Sequence, residues 1–223
     1  MNTSFQVYYR KSIRIAPDGF SFYKQEGKRE IRKDYPLTSD ALLSVEAPQF
    51  FTGDEQVTVI SAHYIPMLVP DELYNPGKVK DYLNLQFDTS RLGDIHTDTM
   101  GNYRAVYFLT QNEKDTLSRL PFSQEVVAES TLLYRFLCEQ EHDNSMFVAL
   151  NDGFTDVVAV QKKEPVLLNR FLLVEPADTL YYICNVIKQH NLHQPVVFMH
   201  FFGQENKKLI QLLKSCPVKT IVL

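Results

Sequence analysis

The sequence predicts an α/β protein of two related halves. The stretch from Met146 to Val174 reads as three short strands in a meander, with Asn151-Asp152-Gly153 at the first joint and the charged run Gln161-Lys162-Lys163-Glu164 before Pro165 at the second. Gly supplies the positive φ of such a tight turn, and an Asx side chain can bond its own backbone. After it the pattern alternates helix and strand. Pro176 opens a helix in which Leu180, Ile183, Cys184 and Ile187 fall at i, i+3, i+4 and i+7, and Ile183 and Ile187 are expected to face the core. Val196 to Phe202 is a continuous apolar run of the kind a strand buried on both faces requires. A helix from about Gln204 to Lys214 and a strand from Lys219 to Leu223 complete the half. The N-terminal half opens in the same way: Asp18-Gly19-Phe20-Ser21 matches Asp152-Gly153-Phe154-Thr155, 134 residues apart. A repeat of domain length implies duplication.

The other elements follow in order. Ser12 to Tyr23 alternates on both sides of Pro17-Asp18-Gly19, a hairpin pattern, and Lys28 to Lys33 reads as a third strand. Thr38-Ser39-Asp40 caps a short helix through Leu42, Leu43 and Val45 that Pro48 is expected to stop. Gln56 to Ala62 is a β-branched strand, Ile65 to Pro70 is extended by its prolines, and helical turns run from Asp71 to Leu83 around Pro76-Gly77. Gly93 to Thr99 and Arg104 to Leu109 form a strand pair. Helices from Gln111 to Arg119 and Ser130 to Glu141 flank a strand from Phe122 to Ala128. The polar stretch Glu139 to Asn144 sets the expected boundary, giving domains 1–142 and 143–223.

Composition narrows the function. A chain of 223 residues, 44% apolar, can hold two small cores. Its net charge of −4 and the lack of any Lys/Arg block beyond three residues argue against nucleic acid and anionic membranes as partners. No run approaches about 18 apolar residues, so a cytoplasmic protein is expected, with its three cysteines as reduced thiols. Twelve Tyr and fifteen Phe occur mostly within periodic apolar runs, which assigns them to packing before base stacking. No P-loop, dinucleotide fingerprint or nucleophile elbow is present.

Several segments carry a resemblance. Ser12 to Tyr23, Val69-Pro70-Asp71-Glu72-Leu73-Tyr74 and Ala149 to Asp156 resemble an uncharacterised Bacteroidetes family with an actin-like ATPase fold. The resemblance spans nearly the whole chain and implies two ribonuclease-H-like domains in an actin-like arrangement. It brings no activity with it, because function resides in sites and not in folds.

In actin-like ATPases an Asp-x-Gly turn ends the first strand of each domain. The carboxylate reaches metal-bound phosphate, and backbone N–H groups beside Gly and a hydroxyl residue approach the phosphate oxygens. If a cleft between the domains binds phosphate or nucleotide, the resemblance implies Asp18, Gly19, Ser21, Asn151, Asp152, Gly153, Thr155 and Gly203 as its residues. Aligned on the glycines, however, the carboxylate positions hold Pro17 and Asn151, and Asp18 and Asp152 come one residue late. Around Gly203, where backbone must pass close to adenosine, stand Phe201 and Phe202. A nuclease centre lacks its mid-strand carboxylate in Ile13-Arg14-Ile15 and Phe147-Val148-Ala149. His190 and His193 have no third metal ligand nearby, and His200 reads as a packing residue. The sequence therefore predicts a protein with no catalytic residues, no metal and no cofactor, acting through a protein partner or by sensing a ligand. The alternative is a divergent nucleotide-binding ATPase.

Overall fold

Two five-stranded sheets of identical order form the frame, seen in a computed structural model that describes residues 5–26, 29–36, 40–51, 56–202, 206–214 and 218–223. Lys11–Ala16 (β1), Gly19–Glu26 (β2) and Arg29–Pro36 (β3) make the first meander. Asp40–Phe50 (α1) leads to Val57–Ser61 (β4), and later Gln111–Leu117 (α3) leads to Gln124–Ala128 (β8). Glu129–Glu139 (α4) precedes the second meander of Asn144–Leu150 (β9), Phe154–Gln161 (β10) and Glu164–Leu172 (β11). Pro176–Gln189 (α5), Val196–Phe201 (β12), Lys207–Lys214 (α6) and Lys219–Val222 (β13) follow. The first sheet runs β3-β2-β1-β4-β8 and the second β11-β10-β9-β12-β13. In both the meander is antiparallel and the last two strands join in parallel, which needs crossover connections and not hairpins. Ser12 to Tyr23 and Phe147 to Val160 thus hold the same places in their sheets.

Between β4 and α3 the first half carries an insertion: Met67–Pro70 (β5), Val79–Asn84 (α2), Leu92–Met100 (β6) and Tyr103–Thr110 (β7). Its strands form a separate sheet, β5-β7-β6, over a small core of Val69, Leu83, Val106 and Phe108. The sequence shows these strands but not that, among the described residues, they pair only with one another.

The chain divides into two compact units, Ser4–Leu132 and Leu133–Leu223. The division falls inside α4, ahead of the polar stretch Glu139 to Asn144. The first turn of α4 carries Glu129, which bonds Arg14 on β1, while Phe136 meets Phe147 and Phe198 edge-on, at 5.6 and 5.1 Å. Polarity marks where this helix ends, not where the packing divides.

Pro48 does not stop α1, which continues to Phe50, with the Phe51 N–H bonding the Ala47 carbonyl at 2.9 Å. A proline removes one intrahelical bond, and here Ala47, Phe50 and Phe51 in the first core hold the last turn in place. On α5 the buried stripe is Thr179, Ile183 and Val186. Ile183 is buried as expected, Ile187 only in part, and Cys184 is exposed. The helix is rotated slightly from the expected face because Val186, absent from the i, i+3, i+4, i+7 pattern, points inward.

The register corrects the repeat alignment. At the first hairpin Ala16 lies opposite Gly19 across Pro17-Asp18. At the second Leu150 lies opposite Thr155, and the Asn151 N–H bonds the Phe154 carbonyl at 3.0 Å to close the tip. Centred on their tips, the halves align 135 residues apart: Ala16 with Asn151, Pro17 with Asp152, Asp18 with Gly153. The cores agree, since Ile13, Ile15 and Phe22 belong to the first and Val148, Leu150 and Val157 to the second. Aligning the glycines instead would set Ile13 on Phe147, which faces α4. A one-residue slip exchanges the two faces of a strand, so shared faces decide the register.

Candidate functional site

Each hairpin turn is built by local bonding. At the first, Pro17 is half-buried and Asp18 exposed, while Gly19 has φ +146°. A Cβ on Gly19 would lie 2.0 Å from the Tyr35 carbonyl oxygen of β3, so this glycine permits close packing of two strands. Ser21 is buried, and its hydroxyl donates to Asp34 Oδ1 at 2.6 Å, which also accepts from Arg32 Nε at 2.7 Å. The hydroxyl that a phosphate turn would keep for its ligand is engaged across the sheet.

At the second turn Asn151 is buried and Asp152 and Gly153 are exposed. The Asn151 Nδ2 donates to the Ala149 carbonyl at 3.3 Å, and the Thr155 hydroxyl donates to the same carbonyl at 3.0 Å. The Gly153 carbonyl accepts from the Leu173 N–H at 2.9 Å. Gly153 has φ +80° but no atom of the described residues near the place of a Cβ, so among them its demand for glycine is conformational, not steric. Gly203 lies outside the described residues.

The second turn borders a cavity of ≈ 330 Å³. Its walls come from Leu150–Gly153, from Leu173–Pro176 with Thr179 at the start of α5, from Phe201 at the end of β12, and from Asn206 and Leu209 at the start of α6. It lies at the carboxyl ends of the parallel strands β9 and β12, where chain connections leave in opposite directions and open α/β sheets form crevices. The start of α5 is already occupied. The Asp178 carboxylate accepts from the Val174 and Glu175 N–H groups, both at 2.8 Å, and the Asp178 N–H donates to the Glu175 carbonyl at 3.0 Å. Those backbone bonds hold the Asp178 carboxyl below its ordinary range. Two carboxylates thus sit where a helix would otherwise attract phosphate. The Thr179 hydroxyl is buried without a hydrogen-bond partner among the described residues.

In the first unit a depression of ≈ 500 Å³ involves Val7, Tyr8, Arg10, Lys11, Gln25, Gln56 and Thr58 near the amino ends of β1 and β4. Deeper, Arg14 and Glu129 form a bidentate pair with both side chains 3% exposed, and Tyr9 donates to Glu129 at 3.0 Å. Burial, then the nearby Glu129 charge, pushes the Tyr9 hydroxyl well up, and burial pushes Tyr23 up to about 12. These groups keep their protons and serve packing. Sequence patterns missed this pair because its members stand 115 positions apart.

Among the described residues no cluster of three or more His, Cys, Asp or Glu could hold a metal. His190 ends α5, and the His193 carbonyl accepts from Asn144 Nδ2 at 2.9 Å. His200 Nδ1 lies 3.3 Å from the Leu223 carbonyl, with its ring edge-on to Phe202. No described helix is long and apolar enough to cross a membrane.

A family model described as "Protein of unknown function (DUF3822)" matches residues 2–215. The chain belongs to this family. No curated protein matches it. Among solved structures, the DUF3822 chain is similar to a Bacteroides thetaiotaomicron protein with actin-like ATPase fold and unknown function. The TM-score is 0.71 at 16% identity, over 99% of this chain and 93% of that one. It is also similar to the PilM-PilN type IV pilus biogenesis complex, with TM-score 0.61, 12% identity, and 95% and 87% coverage. A third likeness is to the ethanolamine utilization protein EutJ from Carboxydothermus hydrogenoformans, with TM-score 0.51, 7% identity, and 96% and 84% coverage. These likenesses establish the actin-like ATPase fold for the DUF3822 chain.

Proposed function

We propose that this protein is a non-catalytic cytoplasmic binding protein on an actin-like frame, acting through contacts with another protein or by sensing a ligand. The observation that carries this reading is the bonding of the two turns. Ser21, Asn151 and Thr155, the groups a phosphate-binding turn presents outward, each bond within their own sheet. The first turn offers Pro17 where the second has Asp152, so the turns do not supply a matched pair of carboxylates. Phosphoryl transfer rests almost wholly on placing metal and charge, and this arrangement withholds both. The PilM-PilN neighbour is itself a complex, and the reading extends that mode of action to this chain.

A divergent nucleotide-binding ATPase is the second reading. It is favoured by the open space at Gly153 and by the exposed Asp152 beside it. Thermal melting with ATP and magnesium separates the two. A site filled at 100 times its dissociation constant adds about 2.7 kcal/mol of stability. The binding-protein reading expects no shift, and a shift that Asp152→Ala removes would favour the ATPase.

A further inference from the structure

The outer strands of the two sheets are treated differently. β3 exposes Arg29, Glu30, Lys33 and Asp34, charges that guard an edge against pairing. β11, its counterpart, ends in Arg170-Phe171-Leu172, and apolar surface continues beyond it. Leu172 is 74% exposed, Val174 92% and Tyr181 64%. The surface is continuous, since Tyr181 meets Tyr182 at 5.5 Å, Tyr182 stacks on Phe171 at 4.3 Å, and the Tyr182 hydroxyl donates to the Leu172 carbonyl. From there Leu173 and Val174 run into the wall of the 330 Å³ cavity.

We propose that this strip docks a segment of another protein carrying a large apolar side chain next to a Lys or Arg. The proposal rests on the binding-protein reading and names its surface and partner chemistry. The cavity wall is part apolar and part polar, and its apolar part, Leu150, Leu173, Val174, Pro176, Phe201 and Leu209, takes the apolar side chain. Among the described residues the charged ones in that wall are Asp152 and Glu175, both exposed acids, with Asp178 one turn on. A cation beside the anchor complements them, and an anionic ligand is repelled. Docking uses side chains and not strand addition. Near the cavity the outward Arg170 N–H is taken by Asn169 Oδ1 at 3.0 Å and the Leu172 carbonyl by Tyr182.

The test is selection of random dodecapeptides displayed on phage against the full chain, followed by titration of the enriched peptides. Expected are sequences with an aromatic or large aliphatic residue beside Lys or Arg. Their binding falls about tenfold or more with Val174→Glu, the loss of one anchor contact. It weakens in Asp152→Asn/Glu175→Gln and loses its salt dependence there. Val174 is almost fully exposed, so an unchanged melting temperature of Val174→Glu shows that the loss is local. Failure to enrich any peptide, enrichment of acidic peptides, or equal binding to Val174→Glu would overturn the proposal. A concentration-dependent dimer abolished by Val174→Glu would also overturn it, by assigning the strip to a second copy. None of these results touches the binding-protein reading itself, which is tested by the ATP melting shift and by ATP turnover.

Discussion

The two sheets share strand order and hairpin position, yet the faces turned away from their main cores hold opposite chemistry. In the first, Arg14 on the central strand is locked to Glu129 beneath Tyr9 and Tyr23. In the second, the counterpart of Arg14 is Ala149, and Phe147 and Phe198 pack against Phe136. One frame therefore accepts a buried ion pair or a ring cluster at the same place. What both require is alternation along β1 and β9, with Ile13 and Ile15 or Met146, Val148 and Leu150 on the helix-covered face.

The sharpest way to break this comparison is to remove one member of the ion pair. Arg14→Met removes the cation that pairs with buried Glu129, leaving the Tyr9 hydroxyl as its remaining named partner, and costs about 3–5 kcal/mol in urea unfolding. Arg14→Met/Glu129→Leu recovers most of that loss, because the face then resembles the second sheet. A single variant that costs under about 1 kcal/mol would show that the pair is hydrated. In the second unit Ile183→Ala opens a hole beneath α5 and costs about 2–5 kcal/mol, whereas exposed Lys188→Ala stays within about 0.5. Equal effects at both positions would mean that the face of α5 is misassigned.

The junction where the insertion leads into α3 provides a smaller effect. Thr110 and Glu113 form a capping box at the start of α3, and His63 Nδ1 lies 2.9 Å from Glu113 Oε1. Thr110→Ala costs about 1 kcal/mol. Burial acts to raise the Glu113 carboxyl, but bonds from His63 and the Thr110 N–H outweigh it and leave its pKa lowered. The folded value lies below the unfolded one. Glu113 therefore contributes stability that is complete above the ordinary carboxylate range and lost as pH falls through the lower folded value. Glu113→Gln flattens this part of the acid unfolding curve, and an unchanged curve would contradict the assignment. The smallest effect is a gain. Lys162 and Lys163 join β10 to β11 with φ of 51° and 68°, a turn geometry that favours Asn-Gly. Lys163→Gly raises stability by up to about 1 kcal/mol, measured by thermal melting.

Most of the frame was legible because periodicity survives single substitutions. The second meander, the apolar β12 and the helices after it all follow from spacing. What the sequence concealed has identifiable causes. The glycines of the two turns look homologous but do different work: Gly19 lies under the β3 backbone, and Gly153 sits at a turn tip. Matching them shifted the repeat by one residue and paired Pro17 with Asn151 in place of Asp152. Pro48 looked like a helix stop because the aromatic anchors Phe50 and Phe51 lie beyond it. The cavity depends on Leu150, Leu173, Phe201 and Leu209 converging from four segments, which no local pattern encodes. Ser21, Asn151 and Thr155 were legible as turn residues, but that each is bonded within its own sheet was not.

The central claim is that these turns are structural joints and not a phosphate cradle. Magnesium-dependent phosphate release from ATP by the purified chain tests it directly, with Asp18→Ala and Asp152→Ala in parallel. The account predicts release no faster from the wild type than from either variant, and none created by Asn151→Asp. Turnover on the order of 1 per second that either aspartate substitution abolishes would contradict it and make those carboxylates metal ligands.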